Sequence, residues 1–92
     1  MAGYRAYVLR SLNTGQYYVG STEDLERRVR EHNGELPRLG RATVSGRPWE
    51  LVFQAEFTSR SQALAAERYI KRMKSRVWID KLVSGEYGLP KF

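Results

Sequence analysis

A chain of 92 residues, 41% of them apolar, makes one small domain over 1–92 with a compact core and little room for a second. Sixteen Lys and Arg stand against ten Asp and Glu, a net charge of +6, which points to a polyanionic partner and first of all to nucleic acid. The absence of cysteine excludes a disulfide framework and a cysteine-ligated zinc site, and no apolar run approaches the ~20 residues of a membrane span.

In chain order, the alternation and paired tyrosines of 4–11 predict a strand. Asn13, Thr14 and Gly15 are turn residues, and 16–20 reads as a second strand closing an antiparallel hairpin. Alternation puts Tyr18 and Gly20 on one face and Tyr17 and Val19 on the other. The start leads straight into the first strand with no signal-peptide layout, and with the missing cysteines this makes a cytoplasmic location the expectation.

Ser21 and Thr22 offer N-caps for a helix over 23–32 with acidic residues in its first turn, stopped by Gly34. Residues 34–48 read as a variable loop rich in glycine, proline and arginine. The run Leu51, Val52, Phe53 predicts a third strand over 49–57 in a central, buried position. Ser59 and Gln62 form a capping-box pattern for a long helix over 60–74. Ser75 caps a last helix over 76–83, ended by Gly85, and the tail 86–92 either packs through its apolar residues or frays. The order β-β-α-β-α-α is α+β in class, a three-stranded sheet with helices.

On the first helix, Arg28 and His32 lie four residues apart and flank the apolar stripe of Leu25 and Val29. On the long helix, Glu67 falls inside the apolar arc of Ala63, Ala66 and Ile70, where a carboxylate has to be paired, protonated or metal-bound. A single hard oxygen ligand suits Mg²⁺ (or Mn²⁺) with waters and phosphate oxygens completing its shell. Tyr7 and Tyr18, with Arg28, His32 and Glu67, supply what phosphodiester hydrolysis needs if all five converge on one side of the sheet: a proton acceptor, positive charge and a metal ligand. Each has an ordinary alternative. The tyrosines are common strand residues, Arg28 can form a salt bridge, His32 can be a satisfied core or capping residue, and Lys71 can pair with Glu67 one turn on.

These residues resemble the GIY-YIG endonuclease domain, in particular its small stand-alone members of the UvrC-like or UPF0213-like type. The resemblance covers nearly the whole chain. It rests on Tyr7, on Tyr18-Val19-Gly20-Ser21-Thr22, and on Asp24-Leu25-Glu26-Arg27-Arg28 with Glu31-His32-Asn33. Further matches are Ser45-Gly46-Arg47-Pro48-Trp49-Glu50-Leu51-Val52 and Glu67-Arg68-Tyr69-Ile70-Lys71. Arg5-Ala6-Tyr7 stands where the first motif has glycine and isoleucine before its tyrosine.

The resemblance implies an antiparallel three-stranded sheet flanked by helices and a metal-dependent endonuclease. Tyr7 would activate the attacking water, Tyr18 would orient water or phosphate, and Arg28 would stabilise the scissile phosphate. His32 would assist proton transfer or bind phosphate, Glu67 would hold one divalent ion, and Gly20 would let the nucleic-acid backbone approach. Basic residues cluster at Arg27, Arg28 and Arg30, at Arg38, Arg41 and Arg47, and from Arg68 through Lys71, Arg72 and Lys74 to Arg76, as a phosphate-tracking surface would require. Of these, Arg27, Arg30, Lys71 and Lys74 are the expected nucleic-acid contacts. DNA is the expected partner, with RNA open, and single-stranded, nicked or branched DNA is compatible. With no separate reading element, sequence specificity is expected to be low. The alternatives are a binding module on the same fold with little or no catalysis, and a domain that acts only with a targeting partner protein. Trp49 and Trp78 are expected in the core rather than as base-stacking platforms.

Overall fold

The computed structural model describes residues 3–36 and 43–92. The elements are β1 (Tyr4–Ser11), β2 (Tyr17–Thr22), α1 (Leu25–His32), a single 3₁₀ turn (Val44–Gly46), β3 (Trp49–Phe57), α2 (Arg60–Met73) and α3 (Arg76–Ser84). The three strands form one antiparallel sheet in the order β2-β1-β3.

β1 is therefore the central strand, and β3, expected there, is an edge. The reason lies in what covers each strand. Ala6, Tyr7, Val8 and Leu9 are all buried, because both faces of β1 are packed. Leu51, Val52 and Phe53 are only half-buried, so their unbroken apolar run reflects contact with helices on either face, not two strand neighbours. Tyr7 and Leu9 join Leu25 and Trp49 in one core, with Tyr18, Val29 and Leu51 around it. Val8 and Val19 join Ile70 and Leu82 in the other, with Tyr17, Phe53 and Trp78 around it. Strand alternation puts these cores on opposite faces, α1 on one and α2 with α3 on the other.

Local chemistry sets the element ends. The hairpin turn is tied by Ser11 Oγ, which accepts from the backbone N–H groups of Asn13 and Thr14 at 3.1 and 2.8 Å. The N-cap of α1 is Asp24, whose carboxylate accepts from Arg27 N, rather than Ser21 or Thr22. β2 runs on to Thr22, so those two side chains belong to the strand. Ser59 caps α2 through Gln62 N, while the Gln62 amide donates to Phe92 O at 2.8 Å instead of returning to the cap. That bond and the edge-on contacts of Phe92 with Phe57 and Tyr69 lay the end of the tail against the domain. Ser75 caps α3 and Gly85 ends it in the left-handed conformation.

The two tryptophans are packed as expected: Trp49 is buried, and Trp78 lies between Tyr69 and Tyr87. Arg38 and Arg41 lie outside the described residues. No helix of the described residues is long and apolar enough to cross a membrane.

α3 is fastened to β2 by the Tyr17 hydroxyl, which donates to the Asp80 carboxylate, and by Arg76 stacked over the Tyr17 ring at 5.5 Å. Burial, and then the bond and charge of Asp80, raise the Tyr17 pKa above the ordinary tyrosine value. A folded-state pKa above the unfolded one stabilises the fold fully below about pH 10, and that contribution is lost as pH rises through the higher folded value. Tyr17→Phe should therefore flatten the alkaline fall in thermal midpoint relative to the parent. Melting curves between about pH 9 and about pH 12 check this; parallel curves would detach Tyr17 from it.

Candidate active site

Tyr7 points from the central strand toward α1, and His32 at the last position of α1 meets it. Tyr7 Oη lies 3.1 Å from His32 Nε2, and His32 Nδ1 lies 3.0 Å from Thr43 Oγ1. Both rings are sealed from solvent, Tyr7 at 2% and His32 at 0% exposure. The Tyr18 ring packs 4.6 Å from His32, with Trp49 beyond it at 6.3 Å. Further bonds brace the end of α1. Trp49 Nε1 donates to Thr43 O, Asn33 Nδ2 to Trp49 O and Arg47 Nε to His32 O. A neutral imidazole that donates from Nδ1 to Thr43 presents Nε2 as an acceptor for the Tyr7 hydroxyl, the arrangement in which histidine can take the phenolic proton.

Gly20 pairs with Tyr7 across the sheet. A Cβ built at Gly20 would stand 2.5 Å from Tyr7 Oη and 2.7 Å from Cζ. The missing side chain makes room for the phenol, and Gly20 is buried, so it does not offer the open approach to a nucleic-acid backbone that its motif suggested. Gly20→Ala should displace Tyr7, break its bond to His32 and destabilise the fold by about 1–3 kcal/mol. Chemical denaturation gives the stability change, and an unaltered midpoint would show that the ring moves aside freely.

Glu67 reaches the sheet from the other side. Its Oε1 accepts from Ser21 Oγ at 2.6 Å and its Oε2 from Lys71 Nζ at 2.6 Å, with the Glu67 side chain 15% exposed and Lys71 53%. The intrahelical pair with Lys71, the ordinary alternative for this carboxylate, is thus formed. The five residues do not all share one side of the sheet. Tyr7, Tyr18 and His32 lie on the α1 face, and Glu67 comes from α2 to Ser21 on edge strand β2.

Arg28 sits on the rim between these groups. It lines a cleft of about 230 Å³ with Ser21, the residue that holds Glu67. Its Nε is 3.6 Å from Glu31, which also receives Arg27 Nε at 3.1 Å. Arg30 faces Glu35 at 3.5 Å, and Lys74 is exposed at the left-handed cap of α2. Ser21 and Thr43 are the partners the sequence reading did not assign. Ser21 stands next to the second-motif glycine, and its cap-like hydroxyl serves Glu67 from within β2. Thr43 lies in a loop and carries no pattern that marks it.

The model of the GIY-YIG catalytic domain matches residues 4–80. The chain belongs to the GIY-YIG family. This GIY-YIG domain is 44% identical over 68 residues to the structure-specific endonuclease subunit SLX1 of Cryptococcus neoformans, covering 70% of this chain and 14% of that protein. It is 45% identical over 69 residues to SLX1 of Vanderwaltozyma polyspora, covering 70% and 22%, and 37% identical over 81 residues to slx1 of Schizosaccharomyces pombe, covering 74% and 30%. It therefore spans less than a third of the length of these curated relatives. The solution structure of the UPF0213 protein from Bacillus halodurans superposes with a TM-score of 0.56 at 30% identity, covering 94% of this chain and 87% of that one. The α+β fold, with its three-stranded antiparallel sheet and three helices, is that of the family.

Proposed function

We propose that this domain is a metal-dependent endonuclease that hydrolyses DNA phosphodiester bonds with low sequence specificity. The observation that carries the reading is the sealed Tyr7–His32–Thr43 chain on one face of the sheet, with Arg28 in a cleft lined by Ser21, whose hydroxyl donates to Glu67. A module that only bound phosphates would need surface cations, not a buried tyrosine–histidine pair and a carboxylate.

Water attacks phosphorus, a new P–O bond forms, and the bond to the leaving oxygen breaks. Tyr7 Oη, 2% exposed and bonded to His32 Nε2, would have to be uncovered as substrate binds; it would then take the proton of the attacking water while passing its own to His32 Nε2, which holds it until turnover ends. Tyr18 packs against His32 and fixes the ring plane. Arg28, released from Glu31, offers its guanidinium to the phosphate oxygens as their charge grows. Glu31 keeps Arg27 as partner when Arg28 leaves it.

Glu67 fits a site for one Mg²⁺ or Mn²⁺. It is a single carboxylate, 15% exposed, with one oxygen on Ser21 Oγ and the other on Lys71 Nζ. This is the donor set of an ion that keeps waters and takes phosphate oxygens as its remaining ligands. The exposed Lys71 ammonium can swing away when an ion takes its place. Such an ion, when bound, supplies positive charge for the leaving oxygen.

Branched or otherwise structured DNA is the favoured substrate, because the relatives similar to this domain are named structure-specific endonuclease subunits. That wording also supports a partner protein that targets the domain. Arg27, Arg30, Lys71 and Lys74 supply exposed charge for the DNA backbone. The test is a cleavage assay on supercoiled, single-stranded and branched DNA, with Mg²⁺ or Mn²⁺ and with chelator. Metal-dependent products are expected, with branched DNA cut fastest. Salt-sensitive binding without cleavage of any substrate would leave a binding module.

A further inference from the structure

The cleft beside Arg28 contains a second guanidinium that the catalytic reading leaves unused. Arg60, at the first turn of α2, lines it together with Tyr4, Ser21, Thr22 and the carboxylate Glu23. Arg28 enters from α1 on one side of β2, and Arg60 from α2 on the other. Arg60 is exposed and has no ion pair among the described residues, whereas Arg28 is held by Glu31. Two guanidinium groups and the Tyr4 hydroxyl stand against one carboxylate, while the Ser21 and Thr22 hydroxyls already donate to Glu67 and to Asp24 O, a balance that still favours an anion that accepts hydrogen bonds. At about 230 Å³ the cleft falls below the roughly 300–1,000 Å³ of sites that enclose a whole small molecule, so it suits a stretch of a longer chain that runs past it, with Arg28 and Arg60 at its two sides.

We propose that Arg60, with the Tyr4 hydroxyl beside it, forms a subsite for the phosphate next to the one that is cut. The inference rests on the nuclease reading above, since it takes Arg28 as the residue at the scissile phosphate. Arg60 then positions the strand: it holds the neighbouring phosphate equally in the ground and transition states, and so acts on substrate binding rather than on the chemical step. Because Arg28 and Arg60 stand on different helices, the strand has to bridge α1 and α2 across the end of β2, which places its phosphodiester beside Ser21 and the Glu67 carboxylate that Ser21 holds.

The experiment compares the parent chain, Arg60→Ala and Arg60→Lys on a branched DNA substrate. The same substrate is also made with one uncharged methylphosphonate at either phosphate flanking the cut. Arg60→Ala should raise KM about tenfold and change kcat by less than about threefold, with Arg60→Lys between it and the parent. In the parent, methylphosphonate at one of the two flanking positions should raise KM by the same factor. In Arg60→Ala that modification should add nothing further. Losses that multiply, or a KM unaffected by Arg60→Ala, would overturn the subsite. If the parent cuts no DNA the nuclease reading fails by itself, and Arg60 is judged by binding alone. Its removal should lower the slope of log affinity against log salt by about one, and an unchanged slope would reject it.

Discussion

Glu67→Gln should lower kcat for the proposed metal-dependent DNA cleavage by about 10³-fold or more, while DNA affinity should hold or rise. The amide keeps the shape of the side chain and can still accept from Ser21 Oγ, so the α2–β2 contact survives. What disappears is the negative charge that would hold a divalent ion and that Lys71 neutralises in the structure. The freed ammonium adds one unpaired positive charge to the surface, which is why affinity does not fall. Lys71→Met separates the metal role from a structural ion pair. If Glu67 matters only as a partner for Lys71, both variants lose activity alike. If it holds an ion, Lys71→Met keeps most of kcat, because the bound ion replaces the ammonium as the counter-charge of the carboxylate. Mn²⁺ binding followed by electron paramagnetic resonance adds a readout independent of turnover: the parent binds, Glu67→Gln does not. Equal kcat for Glu67→Gln and the parent would remove Glu67 from the chemistry.

The sequence carried the fold well because its signals were local. Ser59 and Ser75 announce their helices, Asn13-Thr14-Gly15 announces the hairpin, and Gly85 ends α3 in the conformation glycine favours. What it could not carry was sheet order. An apolar run such as Leu51-Val52-Phe53 arises either in a central strand or in an edge strand covered by helices on both faces, and only tertiary packing separates the two. The site divides in the same way. Arg28 and His32 were readable as neighbours on one helix, but not that His32 would be sealed against Tyr7 while Arg28 stays on the rim. Periodicity placed Glu67 near the core without revealing its bond to Ser21, a contact across 46 residues. Gly20 was legible as special. Its reason, a phenol filling the place of its side chain, depends on a strand partner that no local pattern specifies.

Arg28→Ala should reduce kcat by about 10²–10³-fold with a KM change of only a few-fold, the inverse of the pattern expected for Arg60→Ala. In the structure the Arg28 guanidinium is shared with Glu31, which also holds Arg27. Leaving Glu31 to bind a ground-state phosphate returns little net free energy, because one charge-assisted contact is exchanged for another. The balance changes when charge builds on the phosphate oxygens during attack, and a planar fork of donors answers that charge with two parallel bonds. Arg28→Lys should therefore recover little of the rate, since a single ammonium keeps the charge and loses the fork. Arg27→Ala is the control on the same helix: 67% exposed, it should weaken DNA binding and its salt dependence while leaving kcat nearly unchanged. Single-turnover rates at saturating enzyme, alongside binding measured without metal, separate the two effects. Proportional losses of rate and affinity in Arg28→Ala would make Arg28 a binding residue and leave stabilisation of the phosphate in the transition state to other groups.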